Sequence, residues 1–175
     1  MLRTLSIYIF LLLITACSNQ QQDRRTQAKA KLDEVKLQLA ERWLLSYFSE
    51  PVFNNKVAVL EAGNKHNPPV ILIHGLGQLG MQDWFSVIPA LEQNYHVIAI
   101  DLPGFGLSSD VKGCFLPTNY ARVIAAISNQ YNSKKATIIG HSMGGAVALR
   151  YTELYEKQVH QLILVNAAGL LEKSA

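Results

Sequence analysis

Three patterns of hydrophobic and polar positions follow one another along the 175-residue chain. Leu5 to Ile14 is an almost unbroken apolar run, and Ser18 to Ala30 is Gln-rich, charged and nearly free of large apolar residues. From about Ala28 to Phe48 the apolar residues Leu32, Val35, Leu39 and Trp43 fall at three- and four-residue steps, with Lys31, Glu34, Gln38 and Glu41 between them. That spacing predicts an amphipathic helix over residues 31–50, closed by Pro51. Beyond Pro51, short β-branched runs alternate with longer helical ones. Strands are expected at Lys56–Glu61, Val70–His74, His96–Asp101, Ala136–Gly140 and Gln161–Asn166, and helices at roughly Trp84–Gln93, Thr118–Tyr131 and Ser142–Tyr155. The strand interiors are Val, Ile and Leu nearly throughout, as in strands buried on both faces. Residues 51–175 therefore predict an α/β domain, a mostly parallel sheet with flanking helices.

Composition narrows the function classes. Apolar residues make up 49% of the chain and charged residues 17%, enough to build a packed core and too few charges for a disordered chain. The formal charge is +3, and Lys and Arg are scattered except at Arg24-Arg25 and Lys134-Lys135. No basic stripe results, so nucleic acid is not an expected partner. The only two cysteines, Cys17 and Cys114, exclude a disulfide framework and a cysteine-built metal site. No His or carboxylate pair has metal-site spacing, so neither a metal nor a cofactor is expected.

The apolar run at the start, preceded by Arg3, has the length of an export signal and is short for a membrane span. Its end, Ile14-Thr15-Ala16-Cys17, resembles the signal of bacterial lipoproteins. The resemblance implies that residues 1–16 are removed, that Cys17 is lipidated, and that the chain is anchored to a bacterial membrane. Ser18 favours the outer membrane if the host is Gram-negative. An uncleaved anchor and simple secretion remain alternatives. Residues 17–30 then form the lipidated cysteine and a flexible tether, since so polar a segment cannot offset its ordering entropy. The 31–50 helix packs either on the following domain or on the lipid surface.

Ligands of parallel sheets gather at the carboxyl ends of the strands. Three loops hold the candidate chemistry there, and the first is Gly140-His141-Ser142-Met143-Gly144. The Gly-x-Ser-x-Gly pattern puts serine on a strained strand-to-helix turn, and its glycines leave room where side chains would collide. Here it follows the run Ala136–Ile139 and opens the apolar helix beginning Ala146-Val147-Ala148-Leu149, the context the motif requires. Ser142 is the candidate nucleophile, facing helix N-terminal amides that favour developing negative charge. Acyl transfer needs donors aimed at the oxyanion, each worth about 2.7–4 kcal/mol. The candidates are the N–H groups of Met143 and of Leu76, in the small-residue loop His74-Gly75-Leu76-Gly77. His74 and His141 read as structural. The apolar Leu76, Leu79, Met81 and Phe105 suit either a hydrophobic substrate group or packing.

With the third loop, Asp101-x-x-Gly104-x-Gly106-x-Ser108, the chain from 56 to 170 resembles the N-terminal half of the α/β-hydrolase fold in its esterase, lipase and peptidase branch. The resemblance implies a serine hydrolase acting on a small ester or acyl substrate, with Asp101 shaping the site and not moving protons. Aspartate-nucleophile branches are disfavoured because that position is Ser142. The family's acid and base follow later strands, beyond a cap, whereas this sequence reaches Ala175 just past the sixth strand. The expected fold is therefore incomplete, lacking the cap and last strands. Downstream of Ser142 the only histidine is His160, at the wrong end of its strand, and the only late carboxylate that might act as the acid is Glu172, with no histidine to orient. The expectation is a truncated, membrane-anchored serine hydrolase, poorly active alone. The alternatives are a non-catalytic lipid-tethered binding module and a chain whose acid and base come from a second chain.

Overall fold

A computed structural model describes residues 43–77, 79–109, 115–131 and 135–169. The export signal, Cys17, the tether and residues 31–42 of the expected helix lie outside these residues, as does Glu172. Six strands form one sheet in the order β1-β2-β4-β3-β5-β6, with β1 Leu44–Glu50, β2 Asn55–Ala62, β3 Pro69–Ile73, β4 His96–Ile100, β5 Ala136–His141 and β6 Val159–Val165. β3, β4, β5 and β6 are mutually parallel, and β1 and β2 run antiparallel to their neighbours. The expected mostly parallel sheet is therefore present, and all five expected strands lie within two residues of their predicted ends.

The helix expected to reach residue 50 does not. From Leu44 the chain is β1, paired in register from Leu44↔Glu61 to Glu50↔Asn55. The turn between β1 and β2 is held by Glu50, buried at 2% exposure. Its carboxylate accepts the N–H groups of Val52 (2.6 Å), Phe53 (3.1 Å) and Asn55 (3.3 Å). Asn54 takes the left-handed conformation the turn needs, at φ 53°. Pro51 thus opens a hairpin turn and does not end a helix.

Between β3 and β4 the expected helix is also shorter. A 3-10 turn at Gly80–Trp84 precedes a single α turn, α1, at Ile88–Leu91. α2 (Pro117–Gln130) and α3 (Met143–Leu154) match expectation closely. Strand alternation sorts the sheet into two faces. Val57, Val59, Ile71, Ile73, Ile98, Ile100 and Ile138 share one core with Tyr120, Val123, Ile124 and Ile127 of α2 and Val147, Ala148 and Tyr151 of α3. The alternate residues, among them Leu60, Val70, Leu72 and Val97, point the other way, towards the segment carrying buried Met81, Trp84 and Ile88. Both faces are covered, which is why the strand interiors carry no polar alternation. β6 is the edge strand beyond β5, and its Ile163 and Val165 are exposed.

Candidate active site

Ser142 sits between the last residue of β5 and the first of α3, at φ 51° and ψ −117°. A non-glycine residue there is strained by about 1–3 kcal/mol and persists only where its surroundings hold it. The surroundings are explicit. Ser142 N–H donates to Val165 O at 3.0 Å, and Ser142 O accepts the N–H groups of Gly145 and Ala168, both at 2.9 Å. The turn is thereby fixed to the carboxyl end of β6. The flanking glycines are steric necessities. A Cβ on Gly140 would meet Gly144 carbonyl and Ala148 Cβ, and one on Gly144 would collide with the carbonyl oxygens of Ile73 and His74. Gly145, outside the five-residue pattern, lies equally close to Ala167.

His74 follows the last residue of β3 and is fully buried. Its Nδ1 lies 2.7 Å from Gly75 O and its Nε2 accepts the Leu102 N–H at 3.0 Å. A backbone donor on Nε2 leaves the ring proton on Nδ1, so His74 is a neutral imidazole with both nitrogens used. Burial lowers its pKa from 6.5, against the Gly75 hydrogen bond and the Asp83 charge, which raise it. His74 thus ties the loop after β3 to the loop after β4.

Asp101 ties the same two loops a second time. It is 1% exposed, and its carboxylate oxygens accept Met81 N–H at 2.5 Å and Leu107 N–H at 2.6 Å. Burial pushes this carboxyl up to about 7, against the downward pull of the Leu107 and Met81 N–H groups. Gly80 and Gly106 pass over it at φ 56° and 52°, and a Cβ on either would strike the carboxylate. Ser108 completes the frame, donating to Asp101 O at 2.6 Å and accepting Ala58 N–H at 2.9 Å. Met81, read from sequence as a possible mouth residue, is instead core at 1% exposure, whereas Leu76 and Leu79 are exposed.

Met143 is the first residue of α3, where helical geometry gives its N–H no intrahelical acceptor. Leu76 follows Gly75, whose missing Cβ would lie 3.1 Å from Ser142 Cβ and 3.0 Å from His141 Nδ1. Gly75 therefore permits the close approach of this loop to the serine. Gly77 does not share that role, because a Cβ there would meet no atom within 4 Å. One hollow reaches the turn at His141, and a second lies between the loops after β3 and β4. The first, of about 280 Å³, is lined by Asp83, Trp84, Val87, His141 and Val165, and the second, of about 360 Å³, by Leu76, Gly77, Gly104, Phe105 and Gly106. Asp83 and Trp84 carried no sequence signal, since they lie just before and at the start of a segment that reads only as helix.

All five histidines of the chain are described, at 66, 74, 96, 141 and 160. His66 is exposed between β2 and β3. His96 is buried against Glu61, its Nε2 3.0 Å from Oε2. His160 stands five residues before Val165 on β6, about 16 Å along the strand from the serine end. His141 Nδ1 faces Asp83 Oδ2 at 3.9 Å, and its ring meets Trp84 edge-on. Among the described residues none of them hydrogen-bonds the Ser142 hydroxyl, and no group of three or more His, Cys, Asp or Glu could hold a metal.

The family model of the alpha/beta hydrolase fold matches residues 68–175. A serine hydrolase-like protein of Danio rerio is 34% identical over 111 residues, 62% of this chain and 34% of that protein. Among solved structures, a putative lipase of Acinetobacter baumannii shares 29% identity at a TM-score of 0.69, over 84% of this chain and 48% of its own. A membrane phospholipase A, described as a bacterial virulence factor, shares 31% identity at a TM-score of 0.69, over 98% of this chain and 54% of its own. The chain thus spans about half the length of these two structures and about a third of the curated relative. With its parallel sheet and glycine-flanked serine turn, the chain belongs to the alpha/beta hydrolase fold family.

Proposed function

We propose that this chain carries the nucleophile and oxyanion portion of a serine hydrolase that cleaves acyl esters. The observation that carries the reading is the left-handed Ser142, held at φ 51° between β5 and α3 with Gly75 packed beside it. In the reaction, Ser142 Oγ attacks the ester carbonyl and gives its proton to a base. The N–H groups of Met143 and Leu76 hold the tetrahedral oxyanion, and the alkoxide departs to leave an acyl-serine that water hydrolyses. His74 and Asp101 hold the donor loop and take no proton from substrate. The names of the lipase and phospholipase relatives favour a lipid ester as substrate. Anchoring through Cys17 would place the chain at such a substrate, and loss of metabolic palmitate labelling in Cys17→Ala tests that placement.

None of the five histidines is placed as the base, so on this reading the chain alone turns over poorly. Oxyanion donors and binding without a complete triad still leave about 10³–10⁴-fold acceleration over water. The 280 Å³ hollow beside His141 and Val165 has room for an added imidazole ring. Fluorophosphonate labelling followed by intact mass, with and without imidazole, is the test. The expected result is slow labelling, accelerated by imidazole and absent in Ser142→Ala. Imidazole-accelerated labelling that survives Ser142→Ala, or no acceleration at all, overturns the assignment.

A further inference from the structure

The second hollow, about 360 Å³, lies between the loop after β3 and the loop after β4. Among the described residues, its lining of Leu76, Gly77, Gly104, Phe105 and Gly106 brings no charged or polar side chain. Phe105 is held from behind, edge-on to His74 with ring centroids 5.3 Å apart and tilted on Tyr120 at 6.5 Å. Tyr120 is itself fully buried, so this aromatic surface is a fixed one.

The three glycines differ in what requires them. Gly104 and Gly106 have φ 86° and 52°, which the backbone of that loop demands. Gly77 is not left-handed, and a Cβ on it would meet nothing within 4 Å. Neither backbone conformation nor packing calls for glycine at 77. What a side chain there would change is the opening of the hollow, beside the residue whose N–H is the candidate oxyanion donor. An apolar space with a rigid aromatic wall, adjoining that donor and kept open by an otherwise unrequired glycine, fits a hydrocarbon chain.

We infer that the hollow between Leu76, Gly77 and Phe105 receives the hydrocarbon chain of the substrate and that Gly77 sets how long a chain enters. The inference rests on the acyl-ester reading of Ser142. It makes the substrate an ester with an unbranched apolar chain, and it makes residue 77 a determinant of chain length.

The test uses the whole chain and unreactive probes, the straight 1-alkanols from butanol to decanol, followed by amide chemical shifts in nuclear magnetic resonance titrations. The shifts are expected at Gly77, Gly104 and Phe105, with affinity rising roughly three- to fourfold per added methylene until the space is filled. Gly77→Leu is expected to weaken the longest alkanols at least tenfold while sparing butanol. Ser142→Ala should leave every alkanol affinity unchanged. Binding without chain-length dependence, shifts elsewhere, or wild-type affinity in Gly77→Leu overturns the inference. If alkanols bind as expected but Ser142 resists labelling with imidazole, the ester chemistry fails and the hydrocarbon site stands. The reverse pattern removes the hydrocarbon site and leaves the chemistry.

Discussion

The Leu102 N–H donates to Nε2 of His74 at 3.0 Å, and this bond sets the charge state of a buried histidine as well as the spacing of two loops. A protonated ring would turn a second N–H against that backbone donor. Burial lowers the His74 pKa from 6.5. A histidine with a lowered folded pKa contributes stability above its unfolded value and loses it as pH falls below that value. Part of the acid sensitivity of this domain therefore belongs to His74. In His74→Phe the Leu102 N–H and the Gly75 carbonyl lose their partner, at a cost of about 1–3 kcal/mol for each group left buried. The variant no longer titrates, so the stability gap to wild type is expected to narrow between about pH 7 and about pH 5. Urea unfolding at the two pH values measures it, and a gap that stays constant would show that His74 does not carry the dependence.

Asp101 works in the opposite direction. Its carboxyl is raised from 3.8 to about 7, chiefly by burial. A raised folded pKa means that the group's stabilising contribution is complete below 3.8 and disappears as pH climbs through about 7. In Asp101→Asn that titration is gone, and one amide N–H2 must face the N–H of Met81 or Leu107. The variant is expected to be less stable than wild type throughout, by an amount largest near the acid end of that window and smaller above it. Thermal unfolding of both proteins across the window is the check, and a deficit that grows with pH contradicts it.

The glycines make a paired prediction. Gly144→Ala drives a methyl group into the carbonyl oxygens of Ile73 and His74, which are fixed by β3. Overpacking of this kind costs about 1–3 kcal/mol, and against unyielding backbone the upper end is expected. Gly77→Ala meets open space and a backbone that is not left-handed. It should be neutral or stabilising by about 0.4–1 kcal/mol through the unfolded chain. Chemical unfolding midpoints of the two variants decide the matter, and comparable destabilisation would refute the contrast.

What could be read from sequence divides along physical lines. Strands β2 to β5 announced themselves because they lie inside the sheet and leave nearly unbroken apolar runs, and the edge strand β6 did so through its own run Leu162-Ile163-Leu164-Val165, although Ile163 and Val165 are exposed. β1 was hidden. It is an edge strand with a ragged burial pattern, and its Leu44, Leu45, Tyr47 and Phe48 continue the spacing of the apolar residues before it. Pro51 was misread for the same reason, since a helix stop and a hairpin turn use the same residue. In the site, Ser142 and the glycines that touch it were legible because the turn tolerates few residue types. The roles of Val165, Ala168, Met81 and Leu107 were not, because they act through backbone atoms that any residue supplies. Gly77 shows the limit of the motif itself, since it sits in a small-residue loop without the contacts that explain Gly75.

The strain at Ser142 gives the last prediction. At φ 51° and ψ −117° its Cβ is opposed by its own backbone, and three backbone hydrogen bonds to Val165, Gly145 and Ala168 keep it there. None of those bonds involves the hydroxyl. Ser142→Gly therefore keeps the turn and removes the conflict, and it is expected to stabilise the domain by about 1 kcal/mol or more, within the range for such strained residues. The greater freedom of glycine in the unfolded chain subtracts from this gain by roughly 0.5–1 kcal/mol, so the net effect is smaller than the strain released. Ser142→Ala, which keeps the Cβ, should leave stability within about 0.5 kcal/mol of wild type. Denaturant unfolding of the three proteins separates the contributions. A glycine variant at least as stable as wild type, beside an unchanged alanine variant, means the chain bears strain to hold its serine in this position, while a glycine variant less stable by the full entropy cost of roughly 0.5–1 kcal/mol means that the turn carries no such load.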